Sequence, residues 1–347
     1  IEKYEKRKNI NQILITSNTL SSSKVISKYK FKKVVHQFFP IDTNNNTKKF
    51  LDYWKPSLSI FIDSEIWPNM LINLKKKKIP IILLNGRITL KSFKRWNKFK
   101  KFSNFIFSNF DLCMCSSLKS KIYLKKLGAK KIKYFGNLKF SQSELEKVEF
   151  NKNIKKFIKN KKVWCASSTH NKEENFVGLV HKRLKDKYKN LLTIIIPRHI
   201  NRVDFIKNQL NELGLITHVH EPVKKISNNT DIYLVNSYGQ TKSFFSLCKN
   251  VFLGGSLIKH GGQNPLEAVR YGCNILHGPN VSNFEEIYSF LGSQKISFCV
   301  NKYNGMINVL DKLLSSKNNQ RNIKSKIRFK GKKILKLSIK EIDNYIK

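Results

Sequence analysis

The residues best suited to chemistry lie in the stretch 251–287, VFLGGSLIKHGGQNPLEAVRYGCNILHGPNVSNFEEI. The apolar run 251–253 predicts a buried strand, and the glycines at 254–255 and 261–262 break the chain into a loop. Glycine-rich backbone can approach a phosphate closely, and the N-terminus of a following helix favours an anion. The stretch is therefore typical of a phosphate-binding loop.

A short helix is expected over 266–271, directly after this loop. Asn264 is a natural N-cap, Pro265 suits the first helical position, and Glu267 follows three residues after the cap. Glu267 is poorly placed against a phosphate but well placed to accept hydrogen bonds from sugar hydroxyls, which indicates a nucleotide-sugar site. The glycines alone are equally compatible with an ordinary loop in which Glu267 only completes a capping box.

Further polar side chains follow two predicted strands of the first half. Asp63 and Glu65 come at the end of the run 58–63, and Asn85 and Arg87 come after the run 80–84. In a parallel sheet the carboxyl ends of the strands form one edge, where ligands bind. We therefore expect these four side chains at a ligand-binding edge.

Strand and helix patterns alternate along the whole chain of 347 residues. This rhythm predicts an α/β fold with parallel sheets, and the length suits two domains. The lysine-rich connection places the boundary near residue 148, giving domains of 1–148 and 149–347. The amphipathic end, about 333–347, is expected to pack back on the first domain.

Composition narrows the possible partners. The formal net charge is +44, from 67 Lys and Arg against 23 Asp and Glu. Such a field attracts nucleic acid or an anionic membrane, although lysines spread over the whole chain are also what an AT-rich genome produces. The basic aromatic tract 92–110 fits an amphipathic helix that also touches a membrane or lipid. No nucleic-acid-binding signature, apolar span of about 18 residues or paired metal-binding cysteines accompanies the charge.

The motifs resemble those of one family, the 3-deoxy-D-manno-octulosonic acid (Kdo) transferases of Gram-negative bacteria. The matching segments are DSEIWPN at 63–69, NGR at 85–87, GNLKF at 136–140, SSTHNKEE at 167–174, PRH at 197–199, YGQ at 238–240, FLGGSLIKHGGQNPLE at 252–267 and HGPNVSNF at 277–284. They extend over nearly the whole chain in the family's order.

This resemblance implies a GT-B fold, in which an acceptor-binding and a donor-binding Rossmann-like domain face each other across a cleft. It implies transfer of Kdo from CMP-Kdo to the lipid A precursor, with inversion at the anomeric carbon. No cofactor and no metal are expected, because CMP-Kdo carries only one phosphate. The implied location is the cytoplasmic face of the inner membrane, where the protein is peripheral or anchored by an N-terminal segment outside these residues. The implied partners are CMP-Kdo, the lipid A precursor and the anionic membrane surface, with no specific nucleic acid.

The resemblance also implies roles for individual residues. Asp63 and Lys139 match positions that stabilise the transition state, and Lys139 would balance charge on the departing phosphate. Arg198 suits a phosphate as a bidentate donor, or it caps a helix. The residues expected to contact CMP are Pro197, Arg198, His199, Tyr238, Gly239, Gln240, Asn264, Pro265, Leu266 and Glu267.

The chain departs from the family pattern at several positions. Asp63 stands where Glu is usual, Gln240 replaces Glu, Gln263 replaces His, Ala268 replaces Pro and Lys172 replaces Gly. The Ser-Val-Gly-Glu motif, whose Glu is the family's general base, does not occur in these residues.

We expect that the chain is a fragment of a longer enzyme. The alternatives are a non-catalytic basic protein that binds membrane surfaces or nucleic acid, and another GT-B nucleotide-sugar transferase.

Overall fold

The computed structural model describes residues 1–142, 152–221, 225–316 and 321–346. The chain divides into two compact units. The first unit comprises Ile1–Leu138 with Lys333–Lys347, and the second comprises Lys139–Lys332. The domain boundary expected near residue 148 lies within 143–151, outside the described residues. Lys347, the last residue of the segment expected to pack back on the first domain, is also outside them.

The first unit contains parallel strands in two sheets. One sheet pairs β1 (Ile13–Ser17) with β2 (Val34–Phe38). The other has the order β3-β4-β5-β6, from β3 (Ser59–Ile62), β4 (Ile81–Gly86), β5 (Leu112–Cys115) and β6 (Ile132–Tyr134). Every residue of β5 is buried, as expected of a parallel strand covered on both faces.

Helices connect these strands. They are α1 (Glu2–Glu5), α2 (Leu20–Ile26), α3 (Asn44–Trp54), α4 (Pro68–Lys76), α5 (Leu90–Asn97), α6 (Lys100–Phe107) and α7 (Leu118–Lys126). Thr19, Thr43, Thr89 and Ser117 cap α2, α3, α5 and α7 by accepting from a backbone N–H three residues later. The tract 92–110, predicted to be helical, is split into α5 and α6 by a break at Lys98–Phe99.

The second unit is built around one parallel sheet with the order β13-β12-β11-β7-β8-β10-β9. Its strands are β7 (Lys162–Thr169), β8 (Leu191–Pro197), β9 (Thr217–Val219), β10 (Ile232–Leu234), β11 (Asn250–Leu253), β12 (Asn274–His277) and β13 (Ser297–Cys299). Its helices are α8 (Lys152–Ile158), α9 (Glu173–Lys185), α10 (Val203–Glu212), α11 (Thr241–Leu247), α12 (Leu266–Arg270), α13 (Glu285–Ser293), α14 (Tyr303–Ser315) and α15 (Arg321–Asp343). Helix α15 begins in this unit and ends in the first.

The strand order of the second unit creates a switch point. From β7 the chain first adds β8, β9 and β10 on one side, and then adds β11, β12 and β13 on the other. The chain therefore leaves the parallel neighbours β7 and β11 toward opposite sides of the sheet, which opens a crevice at the carboxyl ends of these strands. This is where a Rossmann-like sheet binds its ligand.

The end of α15 belongs to the core of the first unit. Ile342 packs with Ile82, Leu112 and Met114. Asp343 accepts two hydrogen bonds from Arg7, both of 2.8 Å. The two termini of the chain are thus held together in one unit.

One buried carboxylate fixes the loop at the switch point of the second unit. Glu173, the first residue of α9, is 1% exposed. Its oxygens accept hydrogen bonds from the backbone N–H groups of His170 (3.0 Å), Gly255 (2.7 Å), Ser256 (3.2 Å) and Leu257 (3.0 Å). Because a buried charge is costly unless it is fully hydrogen-bonded, this arrangement holds the loop after β11 against the start of α9.

Gly254 permits this close approach. A methyl group on Gly254 would lie 2.5 Å from the Ser168 carbonyl oxygen and 2.7 Å from Glu173 Oε2. Any larger residue would push the loop away from the carboxylate.

A second buried carboxylate, Asp231, is 3% exposed and lies beside Lys185 and His181, at the amino end of β10. It forms an ion pair with Lys185, lies 3.5 Å from His181 Nε2 and accepts from the Ile216 N–H at 2.9 Å. Burial by itself raises the pKa of Asp231, but the hydrogen bonds from His181, Lys185 and Ile216 outweigh it and hold that pKa well below its usual range.

Replacing Glu173 by Gln should destabilise the second unit by about 2–4 kcal/mol, because one oxygen acceptor becomes an NH₂ donor facing backbone N–H groups. Native-state hydrogen exchange of β7 and of residues 254–257 measures the effect. Glu212→Gln, at an exposed carboxylate of α10, is the matched control. Unchanged exchange in the Glu173 variant would show that the carboxylate does not hold the loop.

Asp231→Asn should lower the free energy of opening of the second unit by about 2 kcal/mol at pH 7. The pKa of Asp231 is lowered in the folded state, so the stabilisation is present above the unfolded value of about 4 and is lost as pH falls through the folded value. The difference from the unmodified chain should therefore shrink between about pH 5 and pH 2, as measured by hydrogen exchange in β8.

The matched control is Asp186→Asn, since Asp186 pairs with Arg183 at the surface and both side chains are 70% exposed. A difference for Asp231→Asn that stays constant with pH would contradict the lowered pKa.

Candidate functional site

The carboxyl edge of the second unit's sheet carries the segments expected to bind CMP. Residues 197–199 end β8, residues 238–240 follow β10, and residues 264–267 follow the loop after β11. Because all these strands are parallel, the three segments lie at the same edge of the sheet. The three strands that precede these segments are β8, β10 and β11. Together with β7 they are neighbours in the sheet, in the order β11-β7-β8-β10.

The turn after β8 presents two side chains to solvent. Pro197 is buried at the end of the strand, whereas Arg198 and His199 are exposed. The Arg198 N–H donates to the Thr169 carbonyl oxygen at 3.0 Å, which ties the turn to the end of β7. The guanidinium of Arg198 therefore projects from a backbone that is fixed.

The turn after β10 is the more open part of the edge. Tyr238 is 65% exposed, and Gly239 is exposed beside it. Gln240 is half-buried and directly precedes α11. This turn can contact a flat ligand such as a nucleobase.

The start of α12 differs from the expected capping box. Asn264 Oδ1 accepts from the Leu266 N–H at 3.2 Å, and Pro265 occupies the capping position without a side-chain hydrogen bond. Pro265 and Leu266 are buried, while Asn264 and Glu267 are half-buried. The hydrogen bond from Asn264 reaches the residue two positions later, whereas a capping box requires a bond to the residue three positions later. The capping-box interpretation of Asn264 and Glu267 is therefore wrong.

The first glycines of the loop do not bind a phosphate through their amides. The N–H groups of Gly255, Ser256 and Leu257 already donate to Glu173. The Gly262 N–H donates to the Gly255 carbonyl at 2.9 Å. An anion at this edge therefore cannot use these amides.

Three histidines meet at the switch point. His170, His199 and His260 follow β7, β8 and β11 respectively. The ring centroid of His170 lies 4.5 Å from that of His260 and 5.9 Å from that of His199. Burial, together with the nearby His260, His199, Arg198 and Arg202, lowers the pKa of His170 to about 4.

Lys139 lies at the start of the second unit. Its Nζ is 4.9 Å from the centroid of the Phe284 ring, and its carbonyl oxygen accepts from Arg270 Nη2 at 2.8 Å. Burial lowers the pKa of Arg270, and Glu267 opposes that shift. Arg270 on α12 thus connects the backbone of Lys139 to the helix that carries Glu267.

Asp63 lies at the carboxyl edge of the first unit's larger sheet. Its Oδ1 accepts from Asn85 Nδ2 at 2.5 Å, and its carbonyl oxygen accepts from the Arg87 N–H at 2.9 Å. Asn85 Oδ1 in turn accepts from the Leu138 N–H at 2.9 Å. Glu65 accepts from Trp67 Nε1 at 2.7 Å. The four polar residues expected at this edge lie there, and Asn85 orients the Asp63 carboxylate.

Irregular backbone accompanies both edges. Asp63, Asn85 and Ser168 have positive φ angles of 58°, 56° and 55° although none is glycine. The pairing register shifts between Leu83 and Gly86 in β4, and between Ser167 and Thr169 in β7. Such bulges redirect side chains at the ends of strands.

Sequence reasoning did not identify the buried Glu173 carboxylate that holds the loop after β11, nor the cluster of His170, His199 and His260. Glu173, His170 and His260 stand out from the sequence only as members of the segments 167–174 and 252–267. A signal was available in their positions, because His170, His199 and His260 each follow an apolar run, at 163–166, 191–196 and 251–253.

The described residues show neither a metal-binding cluster nor a membrane-spanning helix. No group of three or more His, Cys, Asp or Glu side chains among them could hold a metal ion. None of the helices in that part of the chain is long and apolar enough to cross a membrane.

Comparison with known proteins identifies relatives of the whole chain. Residues 1–142 match the family model described as 3-deoxy-D-manno-octulosonic-acid transferase (kdotransferase). The 3-deoxy-D-manno-octulosonic acid transferase of Rickettsia bellii is 33% identical over 318 residues, covering 90% of this chain and 75% of the relative. The one of Rickettsia typhi is 34% identical over 311 residues, covering 88% of this chain and 66% of the relative. The chain thus spans about two thirds of the length of such relatives.

A solved structure shares the architecture. UDP-GlcNAc 2-epimerase from Neisseria meningitidis, bound to UDP-GlcNAc, matches with a TM-score of 0.59 and 14% identity, covering 95% of this chain and 91% of that one. This likeness concerns the fold alone, and it agrees with the expected GT-B class of two Rossmann-like domains. By its relatives, the chain belongs to the 3-deoxy-D-manno-octulosonic acid (Kdo) transferase family.

Proposed function

We propose that the protein transfers Kdo from CMP-Kdo to a lipid A precursor, in the synthesis of lipopolysaccharide. The observation that carries this proposal is the clustering of the family's donor motifs at one sheet edge of the second unit. PRH, YGQ and NPLE are far apart in sequence, yet they follow the carboxyl ends of β8, β10 and β11. Membership of the family supplies the reaction.

The second unit is the donor-binding part. Exposed Arg198 suits the phosphate as a bidentate donor, and exposed Tyr238 suits the face of the cytosine ring. Glu267, half-buried on α12, suits the ribose hydroxyls. The remaining contacts would come from Pro197, His199, Gly239, Gln240, Asn264, Pro265 and Leu266.

Lys139 and Asp63 would stabilise the transition state. As the acceptor hydroxyl attacks the anomeric carbon and CMP leaves from the opposite face, negative charge grows on the phosphate and positive charge on the sugar ring. The ammonium of Lys139 balances the first charge, and the carboxylate of Asp63 balances the second. Attack from the opposite face inverts the anomeric centre.

The donor's single phosphate makes a bound metal unnecessary, so we propose a reaction without metal or other cofactor. The proton of the acceptor hydroxyl requires a general base. In the family this base is the Glu of Ser-Val-Gly-Glu, a motif that the 347 residues do not contain. The residues of this chain supply donor binding and charge stabilisation.

An apolar and basic surface of the first unit would dock on the membrane that contains the acceptor. We call it the α5–α7 surface. Its exposed apolar residues are Leu90 (54%), Phe99 (68%), Phe102 (47%), Phe105 (53%), Leu118 (59%) and Ile122 (52%). Stacking of Phe93 on Tyr123, with ring centroids 4.5 Å apart, joins α5 to α7.

Lysines surround these apolar side chains. Exposed Lys91, Lys94, Lys100 and Lys101 lie on α5 and α6, and exposed Lys98 lies in the break between the two helices. Apolar groups that enter the interface, with lysines that pair with anionic head groups, are the two components of peripheral membrane binding. We propose attachment to the cytoplasmic face of the inner membrane.

Lys139→Ala should lower kcat for Kdo transfer about 10²–10³-fold while CMP binding changes little, because the ammonium acts on charge that develops in the transition state. The assay follows labelled Kdo from CMP-Kdo to lipid A precursor. It compares this chain with a chimera that carries the N-terminal segment of the Rickettsia bellii relative upstream.

Lys130→Ala, at an exposed lysine of the first unit, is the matched control. An active chimera whose kcat is unaffected by Lys139→Ala would exclude the proposed role of Lys139. Absence of transfer by both proteins, with no CMP binding, would refute the proposed function.

Replacing Phe99, Phe102 and Phe105 together by Ser should weaken binding to vesicles that contain phosphatidylglycerol by about tenfold or more, because three apolar side chains no longer enter the interface. Vesicle sedimentation measures the affinity. The matched control is Phe205→Ser, a side chain 53% exposed on α10 of the second unit.

Equal binding by the triple variant and the unmodified chain would show that another surface contacts the membrane. Preference for DNA or RNA over these vesicles at equal charge would favour a nucleic-acid partner instead.

A further inference from the structure

The His170, His199 and His260 side chains converge on the switch point from three neighbouring strands. Strands β11, β7 and β8 are adjacent in the sheet; His170 and His199 come directly after β7 and β8, and His260 lies in the loop after β11. His199 and His260 are exposed, and His170 lies between them, half-buried. The cluster is therefore accessible to a ligand from the solvent side.

The imidazole nitrogens face the glycine loop. A methyl group on Gly255 would lie 3.2 Å from His170 Nε2 and 3.2 Å from His260 Nδ1. Gly255 also has a positive φ of 65°, so a side chain there would be strained. The lack of a side chain at Gly255 thus leaves the position between the two nitrogens unfilled.

His170 Nε2 has no hydrogen-bond partner in the described residues, although the atom itself is buried. A buried polar atom that lacks a partner is uncommon in a native protein and indicates a missing ligand or water. This atom lies in the middle of the cluster, within reach of a ligand that enters beside Gly255.

The charges around the cluster favour an anion. Arg198, Arg202, His199 and His260 all lie near enough to His170 to lower its pKa. Of the two carboxylates at the start of α9, Glu173 is satisfied by four backbone N–H groups, and Glu174 is paired with Arg202 at 2.9 and 3.1 Å. The exposed guanidinium of Arg198 extends the same site outward.

We propose that His170, His199 and His260, with Arg198, form an oxyanion-binding site that recognises an anionic group of the donor substrate. The inference rests on the proposed function for the identity of the ligand, but not for the existence of the site. CMP-Kdo has two groups of this chemistry, the phosphate and the carboxylate of the sugar. His170 is the central donor, and His260 closes the site from the glycine loop.

Binding of an anion here is linked to a proton. In the free protein the pKa of His170 is about 4, so the imidazole is neutral at pH 7. A bound anion favours the imidazolium and raises this pKa. Between the free and bound values, binding takes up a proton, and affinity therefore rises as pH falls through that range.

The test measures CMP binding by titration calorimetry from pH 5.5 to 8 with the unmodified chain, His170→Gln and His260→Gln. We expect about tenfold weaker binding at pH 6 for His170→Gln, and a flatter dependence on pH. The titration of the CMP phosphate is common to all proteins, so it cancels in the difference between them. His36→Gln, at an imidazole of the first unit, is the matched control.

Titrations with cytidine and with free Kdo distinguish the two anions. If the phosphate is bound, the histidine variants weaken CMP but leave cytidine unchanged. If the carboxylate is bound, they weaken free Kdo and leave CMP unchanged. Variants that bind CMP and Kdo like the unmodified chain, with the same dependence on pH, would overturn the inference and leave the proposed function intact.

Inorganic phosphate separates the inference from the proposed function. An unmodified chain that binds phosphate through His170 but binds neither CMP nor Kdo would refute the proposed donor and retain the oxyanion site. His260 is exposed, so His260→Gln tests the site even if His170→Gln impairs folding, which circular dichroism reports.

Discussion

The carboxylate of Glu173 is a negative charge held inside the second unit by backbone N–H groups. Its four donors come from two places, His170 at the end of β7 and residues 255–257 after β11. These strands flank the switch point of the sheet. A buried carboxylate that loses its hydrogen-bond donors costs much free energy. Glu173 therefore determines where the loop lies, and thus where His260 and the start of α12 lie.

This constraint also determines how the edge can bind an anion. In many Rossmann-like sites the first amides after the strand bind the phosphate, but here they are occupied from within by Glu173. These amides are therefore closed to a ligand anion. Of the two arginines after β8, Arg202 has its charge balanced by buried Glu174, whereas Arg198 is exposed. Arg198 is therefore the arginine available to a ligand.

The sequence predicts the α/β class and most strands, because strands buried on both faces appear as continuous apolar runs such as Leu191–Pro197. It also predicts the polar residues at the strand ends, including Asp63 and Asn85. It does not predict the role of Glu173, since an acidic residue in a first helical turn is common and its partners Gly255 to Leu257 are 82 to 84 residues away. Helical periodicity likewise cannot locate the break at Phe99, which depends on local backbone angles.

The two units have the same backbone irregularity at the carboxyl edges of their sheets. In each, a strand is interrupted near its carboxyl end by a non-glycine residue with positive φ, Asn85 in β4 and Ser168 in β7, and the register shifts there. Such a conformation costs about 1–3 kcal/mol and persists only where surrounding bonds determine it. Asn85 is held by hydrogen bonds to Asp63 and from the Leu138 N–H. The carbonyl of Ser168 packs closely against Gly254, and the next residue, Thr169, accepts a hydrogen bond from the Arg198 N–H. Strain is thus located where Asp63 and His170 must be oriented, which is where a binding edge gains from fixed side chains.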